Sequence, residues 1–187
     1  MSAVELRRHR WTRDEYALLY ESDLRCELIE GEITDMSPVN PRHIAVTGCV
    51  TTLLTRLLDP DRFAVASQSP IVLSNDSEPE PDVWVATGSF KSFGERKAEP
   101  ADLLLVVEVA DTTSLYGRNV KIPLYARSAI ALSWLIDVNA STVTVFAKPV
   151  DGAYSAVAEF RAGDDVPLPW GGALSVSEIL LLDDPAS

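Results

Sequence analysis

The clearest periodicity in the chain follows Pro41. Val46, Val50, Leu53, Leu54 and Leu57 fall at i, i+4, i+7, i+8 and i+11, the apolar stripe of one helix face. Ahead of it, "WTRDEYALL" predicts a helix that Thr12 caps, with Glu15 completing a capping box. Between the two, "RCELIEGEITDM" carries short apolar-alternating runs on either side of Glu30-Gly31, the pattern of a hairpin. Beyond Asp59-Pro60-Asp61 the pattern turns to strands: "RFAVAS", "SPIVLS", "DVWVAT" and "ADLLLVVEV". The last is the longest apolar run and the expected central strand. "GRNVKIPLYARSA" predicts another helix. Pro123 is tolerated only in a first turn, so that helix should begin close to Asn119. "LSWLIDV", "TVTVFAK" and "AYSAVAEF" follow as strands, and "SVSEILLL" as a short terminal helix or turn. The order predicts one α/β or mixed α+β domain over residues 1–187, a mixed sheet with helices against it. It lacks the regular strand–helix alternation of a doubly wound fold.

One residue breaks the pattern of the central strand. In "LLLVVEVAD", Glu108 sits among Val106, Val107 and Val109. A buried carboxylate is costly unless it is neutralised, paired or given a metal. Asp82 opens the strand "DVWVAT", and adjacent strands would bring it to Glu108 at one sheet edge. Lys121 follows Glu108 by 13 residues, in the first turn of the next helix, where it can face both acids. Two carboxylates, the Val109 carbonyl and a lysine suit phosphodiester cleavage. Magnesium takes oxygen ligands and keeps several waters. It acidifies a bound water and neutralises phosphate, while a lysine orients that water and stabilises developing charge. The same spacing also fits a buried ion pair of Glu108 with Arg118 or Lys121, without a metal.

Other candidates are more ambiguous. His43 points toward the inner face of its helix, either as a hydrogen-bonded core residue or as part of a site. Glu27 shares a strand face with Ile29, so it is rim-exposed or inward with a purpose. Asp76, Glu78 and Glu80 read as a solvated acidic loop. Cys26 and Cys49 lack metal-ligand spacing and read as reduced, buried small residues. No glycine-rich phosphate loop or G-x-S-x-G elbow is present.

Charge narrows the function classes. A net charge of −12 argues against a general nucleic-acid coating protein, which needs Lys and Arg against phosphate. It leaves room for an enzyme with a local basic groove. The basic clusters, Arg7, Arg8, Arg10 and Arg13, then Lys91, Arg96 and Lys97, read as solvated surface. No apolar run approaches the roughly 18–20 residues that span a bilayer. The N-terminus lacks the apolar core of a signal peptide, so a cytoplasmic protein away from membranes is expected.

Taken in order, "CELIEGEITDMSP", "RHIAVTGCVTTLL", "EPEPDVWVAT" and "LLLVVEVADTTSLYGRNVKIPLYARSAIALSWLIDV" resemble the Uma-two family. That family is classed among endonucleases of the PD-(D/E)XK restriction-endonuclease-like superfamily. The resemblance runs from about Thr12 to about Tyr154 and is most specific at Pro81-Asp82, Glu108-Val109, Lys121, Tyr125 and Trp134. It implies a restriction-endonuclease-like core with its active site at one sheet edge. Asp82 and Glu108 would hold the metal, with the Val109 carbonyl. The superfamily's lysine normally lies two residues after the second acid, where this chain has Ala110. The family's lysine lies on the following helix, and Lys121 matches it. Glu27 matches the acid of the family's hairpin and His43 the histidine that opens its long helix, both as supporting residues. The chain departs from the family at Gly117, where Asp is common, and across Ala129–Leu132. These departures are expected to leave the three central groups untouched.

The reading this supports is a magnesium- or manganese-dependent enzyme hydrolysing DNA phosphodiesters. A homodimer is expected, because two clefts are needed to cut two strands, and the strands after Leu132 offer an interface. Two other readings stay open. One is a catalytically silent protein-interaction module on the same scaffold, which the acidity favours. The other is a metal-assisted hydrolase of a different phosphorylated substrate.

Overall fold

A computed structural model of the chain describes residues 9–21, 25–36, 40–111 and 116–182. Arg7 and Arg8 lie outside them. Thr12 caps the first helix, α1 (Arg13–Ala17), and the reciprocal Glu15 contact completes the capping box. A 3₁₀ turn follows, then the hairpin of β1 (Cys26–Ile29) and β2 (Glu32–Asp35). Its two-residue loop needs positive φ at Glu30 and Gly31, 48° and 77°, which glycine supplies readily at the second position. α2 (Pro41–Leu57) starts with Asn40 as N-cap and Pro41 in its first turn.

The main sheet has six strands in the order β3-β4-β5-β6-β7-β8. They are β3 (Phe63–Ser67), β4 (Val83–Thr87), β5 (Leu103–Ala110), β6 (Leu132–Asp137), β7 (Thr142–Val150) and β8 (Ala153–Arg161). All neighbours are antiparallel except β5 and β6, which are parallel. The β5–β6 crossover contains α3 (Ile122–Arg127). A three-residue ribbon of β9 (Asp165–Pro167) and β10 (Ala173–Ser175) leads into α4 (Val176–Ile179). No helix among the described residues is long and apolar enough to cross a membrane.

α2 lies on one face of the sheet, α3 on the other. Val46, Val50 and Leu54 of α2 pack with Val85, Leu105, Val107 and Trp134. Complete burial of such side chains contributes about 1.5–3 kcal/mol each. Ile122 and Tyr125 of the α3 region share the opposite core with Trp84, Val106 and Leu135. β5 is therefore covered on both sides, as its apolar run requires.

Among the described residues, the secondary structure and core differ from the sequence expectations in four places. "SPIVLS" is not a strand: it makes only single bridges, Ile71 to Ala98 and Ser74 to Ser77. Pro70, Pro79 and Pro81 deprive this region of ladder donors, although Ile71 stays fully buried. Leu57 is 53% exposed, and Leu58, just past the helix end, takes the core position. Cys26 and Cys49 are free but only half-buried. The helix expected near Asn119 begins earlier, with a π-helical turn over Gly117–Lys121 before α3. The Ile122 N–H donates to the Gly117 carbonyl, five residues back. Pro123 has no N–H to give to Asn119, and the wider turn runs ahead of it without that bond.

Candidate active site

The π-turn and α3 place two polar side chains over Glu108. Lys121 and Tyr125 are four residues apart, so they share a helix face. The Lys121 Nζ lies 3.4 Å from Glu108 Oε2, and the Tyr125 hydroxyl donates to Glu108 Oε1. All three are buried. Lys121 also lies 3.0 Å from Glu27 Oε2 and donates to the Glu80 carbonyl at 3.0 Å. Its ammonium has three donors, and these three oxygens engage them all.

Glu27 is inward and buried rather than rim-exposed. The β1 hairpin is tied to the segment before β4 by paired main-chain bonds between Leu28 and Glu78. That tie brings Glu27 over Lys121, where Glu27 also accepts the Glu80 N–H at 3.1 Å.

Asp82 sits one step beyond the β4–β5 ladder. Val83 pairs with Val107, so the register continued by one residue sets Asp82 against Glu108. Asp82 Oδ2 accepts the Val109 N–H at 2.7 Å. Main-chain N–H and C=O of one strand residue point to the same edge, so the Val109 carbonyl faces that side too. Asp82 Oδ1 lies 3.1 Å from His43 Nε2. His43 is set by the start of α2: its N–H is capped by Asn40, whose side-chain amide also donates to Asp111 Oδ2 at 2.8 Å. The far ring nitrogen, His43 Nδ1, is buried without a hydrogen-bond partner among the described residues.

Charge within this cluster is lopsided. Among the described residues, Glu27, Asp82 and Glu108 face one permanent cation, Lys121. Burial pushes the Glu108 pKa up to about 8, against the pull of Lys121, and the Asp82 charge adds to the rise. Burial disfavours the Lys121 cation, but Glu108, Glu27 and Asp82 outweigh it and raise its pKa. Burial likewise opposes a charged His43, yet the Asp82 hydrogen bond and charge carry its pKa above the ordinary value. Tyr125 is held protonated chiefly by burial, then by Glu108. Burial also raises the Glu80 carboxyl, against its Arg25 partner 3.3 Å away.

The structure thus brings together Asp82, Glu108, Lys121, Glu27, His43 and the Val109 main chain. The metal-free alternative for Glu108 is also realised in part: it pairs with Lys121, whereas Arg118 is exposed. Among the described residues, no group of three or more His, Cys, Asp and Glu side chains is arranged to hold a metal ion. The donor set anticipated from sequence has two side chains and a carbonyl. Its hard oxygens are the donor type that a divalent cation of the magnesium type takes, and such a cation would displace the proton that burial holds on Glu108.

Other residues sit differently from expectation. Glu78 is buried, not part of a solvated loop: Arg13 and Lys97 hold it at 3.1 and 2.5 Å. Members of the two basic clusters therefore meet on one internal carboxylate. Gly117 does border the central groups. A Cβ there would lie 3.9 Å from the Glu108 Cβ and 3.6 Å from Leu135 Cδ1, so an acid at this position would enter the cluster. Trp134 is core. Tyr125 and the Glu80 carbonyl had no assigned role; an aromatic at helical spacing reads as core, and a main-chain acceptor leaves no mark on sequence.

A six-stranded mixed sheet flanked by helices, with an acidic cluster at the meeting ends of β4 and β5, defines a restriction-endonuclease-like fold. The chain belongs to the Uma2 family, described as "Putative restriction endonuclease", whose family model matches residues 13–176. A solved structure from Anabaena variabilis ATCC 29413, a "putative nuclease belonging to DUF820", superposes with a TM-score of 0.75. At 20% identity, the match covers 91% of this chain and 98% of that one, and it shows a shared fold. No curated protein matches the chain.

Proposed function

We propose that the protein is a metal-dependent nuclease that hydrolyses DNA phosphodiester bonds. The observation that carries this reading is the convergence of Asp82 and Glu108 at the ends of β4 and β5, with the Lys121 amine 3.4 Å from Glu108. Family membership supports it. Asp82, Glu108 and the Val109 carbonyl would hold magnesium or manganese, which when bound supplies charge neutralisation at phosphate and a more acidic water. Tyr125 fixes one oxygen of Glu108, and the Val109 N–H and His43 fix both oxygens of Asp82. Each carboxylate is thus oriented before any ligand arrives. Of the three Lys121 contacts, that to Glu108 is the longest, so it is the one that yields when the ammonium turns to orient a nucleophilic water. Glu27 retains Lys121 and, after Glu108, helps to keep it protonated.

A second reading is a catalytically silent interaction module. The saturation of Glu108 by Lys121 and Tyr125 favours it, together with the net charge of −12. One experiment separates the two: incubation with single-stranded, duplex and branched DNA, with magnesium or manganese. Cleavage by the parent chain that falls at least a hundredfold in Lys121→Ala supports the nuclease. No cleavage of any substrate, or cleavage that survives the substitution, contradicts it.

A further inference from the structure

Resting on the reading of Glu27, Asp82 and Lys121 as the active site, we infer that the ion triplet of Arg13, Glu78 and Lys97 positions that site. It does so through the stiff run of chain from Glu78 to Asp82. The Glu78 side chain is only 3% exposed, and each of its oxygens takes a different cation. Lys97 Nζ lies 2.5 Å from Oε1, and Arg13 Nε lies 3.1 Å from Oε2. Both cations are themselves held. Arg13 opens α1, and its N–H donates to the Asn75 carbonyl at 2.8 Å. Lys97 stands between Arg96, which grips Asp102 at 2.6 and 2.8 Å, and Ala98, whose carbonyl accepts the Val72 N–H.

What they hold is the run Glu78-Pro79-Glu80-Pro81-Asp82. Pro79 and Pro81 have φ fixed by their rings, and Glu78 and Glu80, each ahead of a proline, are biased to extended conformations. A shift at Glu78 is therefore passed along the run rather than absorbed within it. Every second residue of the run has a contact to place. Glu78 exchanges main-chain bonds with Leu28, the neighbour of Glu27. Glu80 gives its N–H to Glu27 and its carbonyl to Lys121. Asp82 accepts the Val109 N–H and meets His43.

Stability alone does not account for three charges at this point. Burying ions costs desolvation that an apolar side chain of similar volume avoids, so such pairs are weak sources of stability. A carboxylate between two fixed cations does supply direction: two charge-assisted bonds set where the chain lies at Glu78.

Amide hydrogen exchange in the metal-free chain, resolved by NMR, tests the inference. The reporters are the Glu80 N–H, which is bonded to Glu27, and the Val109 N–H, which is bonded to Asp82. Glu78→Gln keeps the size and removes the charge. Lys97→Gln is the milder variant and leaves Arg13 on Glu78. Both reporters should exchange at least tenfold faster in Glu78→Gln and faster in Lys97→Gln, with Lys97→Arg restoring them. The amides of the β6–β7 ladder should exchange as in the parent chain. Magnesium affinity should fall at least tenfold in Glu78→Gln. Reporters unmoved in both Gln variants overturn the inference, and the metal reading survives if the parent chain still binds magnesium. An acceleration that includes the β6–β7 ladder equally also overturns it, because the triplet would then be a general stabiliser. Selective acceleration in a chain that binds no magnesium supports the positioning and overturns the metal reading instead.

Discussion

Glu108 stores a pH dependence that can be measured without any substrate. Its folded-state pKa is raised to about 8 by burial, from an ordinary value near 4.5. In that window the folded chain holds a proton that the unfolded chain has released, so stability falls as pH rises. The contribution is fully present below pH 4.5 and lost as pH passes through 8. Glu108→Gln removes the titration, so its melting temperature relative to the parent should rise from pH 5 to pH 8 in metal-free buffer. A constant difference across that range would contradict the assignment. Glu108 was legible as an anomaly because a charge inside an apolar strand demands compensation. Glu78 was not legible: it lies in a run of acids and prolines, and only the fold brings Arg13 and Lys97 onto it. The role of Tyr125 was hidden for a similar reason, since nothing in a helical aromatic says which oxygen its hydroxyl will meet.

The secondary elements do more than frame the site; their ends build it. α2 begins where Asn40 both caps the His43 N–H and donates to Asp111, which fixes the helix start to the end of β5. Asn40→Ala removes both bonds. Loss of the cap costs about 0.5–2 kcal/mol, and chemical denaturation should show a loss in that range. An unchanged midpoint would mean that the α2 start is held by packing alone. The α2 stripe as far as Leu54, the turn at Glu30-Gly31 and the continuous apolar run of β5 were readable because stripe, turn chemistry and run length each match what the fold does with them. "SPIVLS" reads as a strand because it is a short apolar run, yet the prolines around it leave it without the donors for a ladder. The π-turn before α3 was out of reach. Pro123 announces a break, but nothing in the local sequence says whether the helix starts late or widens its turn ahead of the proline.

At the scale of the molecule, the −12 charge and the proposed polyanionic substrate stand in tension. The candidate site adds to the tension rather than relieving it, with Glu27, Asp82 and Glu108 gathered around Lys121. The proposed divalent cation, shared by Asp82 and Glu108, would resolve both problems: it would balance the cluster and present positive charge to phosphate. The fold as a class was legible from the order of elements, whereas this excess of acid over base appears only once β1, β4, β5 and the π-turn are brought together. Titration calorimetry of magnesium and manganese into the metal-free chain tests that balance most directly. The account predicts saturable binding by the parent chain, weakened at least tenfold in Glu108→Gln and in Asp82→Asn, with both variants folded. Affinity unchanged in both variants, or no binding by the parent chain, would contradict it.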